Sequence, residues 1–169
     1  LLGPTLGTII AVNTALLAIA AALLYAILRS LAGPCAATVA SLMFLLMFGA
    51  AHMGAPGNFN FITPYSHEAT HGFVLSLAAL FAFLRFAKNA RVRWAFIMGL
   101  CTGLAFLTKP EIFVALAGAL ASGMILLFWL SARPGTARRD REDCRPHKGL
   151  PMFAAAALLP PILMTGFLA

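Results

Sequence analysis

Charged side chains are scarce in this sequence. Of its 169 residues, 10% are charged and 62% are hydrophobic, and the mean hydropathy is +0.93. Soluble domains carry about 25% charged residues. This scarcity argues against an ordinary soluble domain and predicts an all-α protein, a polytopic bundle of transmembrane helices.

Cysteines are also few, and none of them forms a C-x-x-C pair. Cys35 and Cys101 lie in apolar stretches and Cys144 lies in a basic one, so a disulfide framework is not expected. The sequence begins with Leu1 and ends at Ala169 inside an apolar run. We therefore expect residues 1–169 to be part of one transmembrane domain that belongs to a longer chain.

Six apolar stretches approach the roughly 20 residues that a helix needs to cross a bilayer. They lie at about 5–28, 35–54, 70–87, 94–109, 111–131 and 151–169. The fourth contains Gly99 and Gly103, a G-x-x-x-G pair that lets membrane helices approach closely. The sixth contains Pro160-Pro161, so we expect a kinked or broken helix there.

Basic residues indicate how these helices are oriented. If every stretch crosses, eleven of the twelve Lys and Arg residues fall on one side, and the positive-inside rule makes that side cytoplasmic. In a plasma (inner) membrane, residues 29–34, 85–93 and 133–148 would then be cytoplasmic, and residues 52–71 and 109–111 would be outside.

The most basic segment lies between the fifth and sixth stretches, at residues 132–150. It lacks the interleaved aromatic residues that are typical of nucleic-acid binding. We interpret it as a cytoplasmic loop that touches anionic membrane lipids and binds no nucleic acid.

An outward segment contains the pattern His-Glu-x-x-His, formed by His67, Glu68 and His71. On a helix this spacing puts both imidazoles on one face, as in zinc metalloproteases, where the glutamate activates a bound water. Glu111 or His52 could supply a third ligand. A membrane zinc protease is therefore one hypothesis, with His67 and His71 as the metal ligands.

Other observations argue against a protease. Three fixed residues are a short motif, and intramembrane zinc proteases typically use an aspartate on a later helix. The only aspartates here are Asp140 and Asp143, in the basic loop on the opposite side. We therefore expect no metal ligand at this site, although a divalent metal remains open as a cofactor.

A second polar site is the outward turn Lys109-Pro110-Glu111. Pro110 suits the first position of a helix, which leaves Lys109 at one helix C-terminus and Glu111 at the next N-terminus. The helix dipoles favour both charges there. The alternative is a functional one, in which Lys109 and the amides that open the fifth helix hold an anion.

Residues 93–116, "RWAFIMGLCTGLAFLTKPEIFVAL", resemble the segment "W…GL..GLA.LTK" of family 39 glycosyltransferases. These polytopic GT-C enzymes include protein O-mannosyltransferases and bacterial lipid A aminoarabinose transferases. The upstream segment "NFNFITPYSHEATHGFVLSLAALFAFLRFAKN" is similar to bacterial members as well. The resemblance covers roughly residues 5–131.

The resemblance implies transfer of a sugar from a polyprenyl-phosphate carrier to a lipid, glycan or protein acceptor at the outer membrane face. In the family the main catalytic acid lies on the first outward loop, which we expect to precede this sequence. Lys109 would pair with the carrier phosphate and Glu68 would act as an auxiliary base. The remaining substrate-binding candidates are Asn60, Tyr65, His67, His71 and Glu111.

A transporter is a further alternative, because an outer vestibule would also gather polar residues. No ionisable residue lies in the middle of any predicted span, where the coupling sites of transporters usually lie. The glycosyltransferase is therefore the favoured interpretation.

Overall fold

A computed structural model describes residues 6–49, 67–132 and 149–168. These residues form six α-helices: α1 (Leu6–Ala32), α2 (Pro34–Phe44), α3 (His67–Asn89), α4 (Val92–Thr108), α5 (Pro110–Ala132) and α6 (Leu150–Leu168). A short π-helical segment, Leu45–Gly49, continues α2. The predicted all-α helix bundle is confirmed for the described part of the chain.

Within the described residues, three helices are long and apolar enough to cross a membrane: Gly7–Ala32, His67–Asn89 and Pro110–Leu130. The apolar stretches Pro34–Gly49, Val92–Thr108 and Leu150–Gly166 are shorter. The helices extend past several predicted boundaries, so Arg29 lies in the last turn of α1 and not in a loop. Likewise the His-Glu-x-x-His pattern forms the first turns of α3.

Side-chain contacts show that the helices alternate in direction. Gly72 at the start of α3 lies against Ile112 at the start of α5, and Gly123 further along α5 lies against Phe83 of α3. Helices α3 and α5 are therefore parallel, as expected if each helix runs opposite to the one before it. At the other end of the bundle, Gly149 before α6 contacts Phe86 of α3.

The two ends of the bundle differ in charge. One end, here called the basic end, carries five cations: Arg29, Arg85, Lys88, Arg91 and Arg93. The opposite end, here called the histidine end, carries His67, Glu68, His71, Lys109 and Glu111. Residues 50–66 and 133–148 lie outside the described residues.

The closest helix contact joins α4 to α6 through the predicted G-x-x-x-G pair. A Cβ at Gly99 would overlap the carbonyl oxygen of Phe153, and one at Gly103 would overlap the carbonyl oxygen of Ala157. Only glycine allows the two backbones to approach this closely. The predicted packing role of both glycines is confirmed, and their partner is α6.

The sixth helix was expected to be kinked or broken at Pro160-Pro161. It is not broken, because α6 continues through both prolines. Proline has no N–H group, so Pro161 cannot donate to the carbonyl of Ala157. That carbonyl points at Gly103 of α4, whose Cα–H group is a weak donor. Close packing against α4 thus compensates in part for the missing hydrogen bond.

The outer surface of the bundle is apolar. Leu46, Val114 and Ile125 are 70%, 68% and 69% exposed, whereas the buried core consists largely of alanine and leucine. A soluble protein rarely exposes so much contiguous apolar surface. The exposed side chains suit contact with lipid, and the small buried ones let the helices pack closely.

Candidate functional site

The first turns of α3 carry the histidine motif. His67, Glu68 and His71 are all exposed, so the motif lies on the surface at the histidine end. The ring Nδ1 of His71 lies 2.6 Å from the backbone carbonyl oxygen of His67. A carbonyl only accepts hydrogen bonds, so this Nδ1 carries the proton and donates it. The other ring nitrogen, Nε2, therefore remains available to a ligand.

Thr70 supports the same carbonyl. Its hydroxyl donates to the His67 carbonyl oxygen at 2.8 Å, and Thr70 itself is buried. The first carbonyl of α3 thus accepts two side-chain hydrogen bonds, which fixes the local geometry from which His67 and Glu68 project.

Lys109 connects α4 to α5 as a single non-helical residue. Its N–H donates to the carbonyl of Ala105 at 3.1 Å, and its own carbonyl accepts from Ile112 and Phe113, also at 3.1 Å. Pro110 follows as the first residue of α5, as predicted. The backbone of Lys109 therefore supplies hydrogen-bond partners for a carbonyl at the end of α4 and for N–H groups at the start of α5.

The Lys109 side chain lies beside an acidic partner. Its Nζ is 3.5 Å from Oε2 of Glu111, and the two side chains are 39% and 79% exposed. Exposed ion pairs of this kind are worth about 0–1 kcal/mol. An incoming phosphate can therefore compete with Glu111 for the ammonium group at little cost.

Gly72 brings these two polar segments together. A Cβ at this position would lie 2.9 Å from Cδ1 of Ile112 and 3.0 Å from the Thr108 hydroxyl. Residue 72 follows the histidine motif directly, and Thr108 and Ile112 flank the Lys109 turn. The absent side chain of Gly72 thus allows the start of α3 to pack against the α4–α5 turn.

Three candidate residues, Asn60, Tyr65 and His52, lie outside the described residues. Among residues 6–49, 67–132 and 149–168, no group of three His, Cys, Asp or Glu side chains could hold a metal ion. The His-Glu-x-x-His motif did not indicate Thr70, Gly72 or Thr108. In the sequence, these residues are marked only as small or polar residues close to charged ones.

A comparison with protein families gives the class of the protein. The model of the dolichyl-phosphate-mannose-protein mannosyltransferase family matches residues 1–139. The chain belongs to this family. No curated protein and no solved structure matches the chain.

Membership in the mannosyltransferase family confirms the resemblance seen in the sequence. It identifies a membrane glycosyltransferase of the GT-C type and favours glycosyl transfer over proteolysis or transport. The matched residues include helices α1–α5 and both polar segments of the histidine end, whereas α6 begins beyond them.

Proposed function

We propose that the histidine end binds a sugar carried on polyprenyl phosphate and transfers it to an acceptor at the outer face of the plasma membrane. The observation that carries this proposal is the contact of Gly72 with Thr108 and Ile112. Through it, the histidine motif and the Lys109 turn share one surface. Family membership supports the class of reaction.

Glycosyl transfer of this kind develops negative charge at the carrier. The bond between the sugar C1 and the phosphate oxygen breaks while C1 bonds to the acceptor oxygen, so the departing phosphate keeps the electron pair. Lys109 is the only cation that the described residues provide at the histidine end. We assign it to the phosphate, where an ammonium group stabilises the leaving group.

The acceptor hydroxyl loses its proton during the reaction, and a general base receives it. We assign an auxiliary part of this task to Glu68, with the main catalytic acid on an earlier outward loop. His67, His71, Asn60, Tyr65 and Glu111 would hydrogen-bond sugar or acceptor hydroxyls. In this proposal the two histidines hold substrate and are not metal ligands.

The partners follow from the same chemistry. The donor is a polyprenyl-phosphate sugar, and the acceptor is a lipid, glycan or protein hydroxyl on the outer side. The charge difference between the two ends supports this orientation, because the basic end would face the cytoplasm under the positive-inside rule.

The test measures binding of sugar-free polyprenyl phosphate to the full-length protein in nanodiscs. Lys109→Gln should weaken binding about tenfold or more, because a hydrogen bond to a charged group contributes about 1.5–3 kcal/mol. Lys109→Arg should retain most of the affinity. Arg91→Gln removes one positive charge at the opposite end and serves as the matched control.

Glu111→Gln separates this role from a purely structural one. If Lys109 only pairs with Glu111, both glutamine variants should lower stability alike and leave phosphate affinity unchanged, which would contradict the proposal. If Lys109 binds phosphate, Glu111→Gln should retain or tighten binding, because it removes a competing carboxylate.

A further inference from the structure

A cleft at the basic end lies between α1 and α3. Its volume is about 340 Å³, and its polar lining comes from Tyr25, Arg29 and Ser30 of α1 and from Arg85 and Lys88 of α3. The ring of Phe81 forms part of the wall. This cleft is at the opposite end of the bundle from the proposed transfer site.

Three cations meet in the cleft without a described counter-charge. The only acidic residues in the described part of the chain are Glu68 and Glu111, and both lie at the histidine end. Arg29, Arg85 and Lys88 therefore repel one another across a partly apolar cleft, and a bound anion would relieve that repulsion.

Aromatic packing holds one of these cations in place. The guanidinium carbon of Arg85 lies 5.0 Å from the centroid of the Phe81 ring, within the range of a cation–π contact. Phe81 in turn packs edge-on against Trp94 of α4, with ring centroids 5.9 Å apart. Arg85 is thereby positioned in the cleft, whereas an unrestrained arginine would extend into water.

The cleft also offers a neutral hydrogen-bond donor. Tyr25 lines it, and the Tyr25 hydroxyl makes no hydrogen bond to another described residue. The Ser30 hydroxyl donates to the carbonyl of Ile27 at 2.8 Å. One phenol, two guanidinium groups and one ammonium group form a donor set that suits a phosphate ester.

The position of the cleft favours a lipid as the source of this phosphate. Leu31 lies two residues beyond Arg29 and is 65% exposed, so an apolar surface continues beside the cations. Basic pockets between membrane helices, at the depth of the head groups, bind anionic lipids. We propose that the α1–α3 cleft binds the phosphate of an anionic lipid from the leaflet at the basic end.

The experiment titrates the full-length protein with phosphatidylglycerol in phosphatidylcholine nanodiscs and follows bound lipid by native mass spectrometry. Each lysine or arginine near a membrane surface contributes roughly fivefold to the affinity for anionic lipid. Arg29→Gln and Lys88→Gln should therefore each weaken phosphatidylglycerol binding about fivefold. Arg29→Lys should retain most of it.

Arg91→Gln is the matched control, because Arg91 is an exposed cation of the basic end outside the cleft. An equal loss in this variant would show that diffuse surface charge attracts the lipid, and would overturn the proposal. Competition by inorganic phosphate at similar concentrations would show that the cleft takes a soluble anion, which also overturns it. Unchanged melting temperatures of all variants would exclude misfolding as the cause of any loss.

Discussion

At the scale of single residues, the backbone between α3 and α4 contains one unfavourable conformation. Ala90 has φ of 46°, in the left-handed region that costs an L-residue about 1–2 kcal/mol. Its N–H donates to the carbonyl of Phe86 at 2.7 Å, which is the hydrogen bond that ends a helix in this way. Glycine usually occupies such positions because it has no Cβ.

Ala90→Gly should therefore stabilise the protein by about 0.5–1 kcal/mol. Ala87→Gly, three residues earlier and inside α3, should instead destabilise it by about 0.5–1 kcal/mol. Both changes in the free energy of unfolding are measured by titrating the detergent-solubilised variants with SDS and following circular dichroism. The same sign in the two variants would show that residue 90 is not held in the left-handed region.

The sequence predicted some of these residue details and missed others. Pro110 indicated where α5 begins, and the spacing of His67 and His71 indicated a shared helical face. The hydrogen bond from His71 to the His67 carbonyl was not predictable, because it depends on the side-chain conformation. Gly72 was also missed, since its role follows from contact with a distant segment.

At the scale of helices, the packing of α4 against α6 depends on backbone contact at Gly99 and Gly103 of α4. A methyl group at Gly103 would meet the backbone of Ala157, which cannot move aside as a flexible side chain can. A methyl group at Gly118 of α5 would meet nothing within 4 Å. The two positions therefore form a matched pair of glycine sites in membrane helices.

Gly103→Ala should lower the free energy of unfolding by about 1–3 kcal/mol, the usual cost of overpacking. Gly118→Ala should raise it by about 0.5–1 kcal/mol, because alanine favours the helix. Thermal unfolding of the two purified variants compares them directly. Equal stability would mean that α4 and α6 are not in close contact in the membrane.

The glycine spacing predicted the packing face of α4 but not its partner. Every other apolar helix was a candidate, and hydrophobic patterns do not distinguish between them in lipid. For a related reason, the proline pair alone did not predict whether α6 breaks. Its effect depends on whether a neighbouring helix compensates for the lost hydrogen bond, and α4 supplies that neighbour.

At the scale of the whole molecule, the two ends of the bundle should lie on opposite sides of the membrane. Asn89 ends α3 at the basic end, and Glu111 is 79% exposed at the histidine end. In a cysteine-free background, a membrane-impermeant maleimide should label Glu111→Cys on intact cells. It should label Asn89→Cys only after the membrane is opened.

Labelling of both positions on intact cells would contradict the alternating arrangement of the helices. Labelling of Asn89→Cys alone would place the basic end outside, and would move the proposed transfer site to the cytoplasmic face. A cysteine at Gly118, in the apolar middle of α5, serves as the control because the reagent should not reach it from either side.

The distribution of charge was predictable from the sequence, because basic residues follow the positive-inside rule one loop at a time. The cleft was not predictable. Arg29 and Arg85 both marked the same side of the membrane, but nothing in their spacing indicated that α1 and α3 are neighbours. The side on which a charge lies is encoded locally, whereas its neighbours depend on the packing of the helices.

Because Lys109 alone links α4 to α5, the length of the turn between these helices is constrained. Since an α-helix turns about 100° per residue, one residue inserted after Pro110 would rotate the rest of α5 by that angle relative to the Lys109 turn. Ile112 would leave Gly72, and apolar side chains that suit lipid would turn into the bundle. Related chains should therefore keep this turn at constant length, whereas their lengths can differ within residues 50–66 and 133–148.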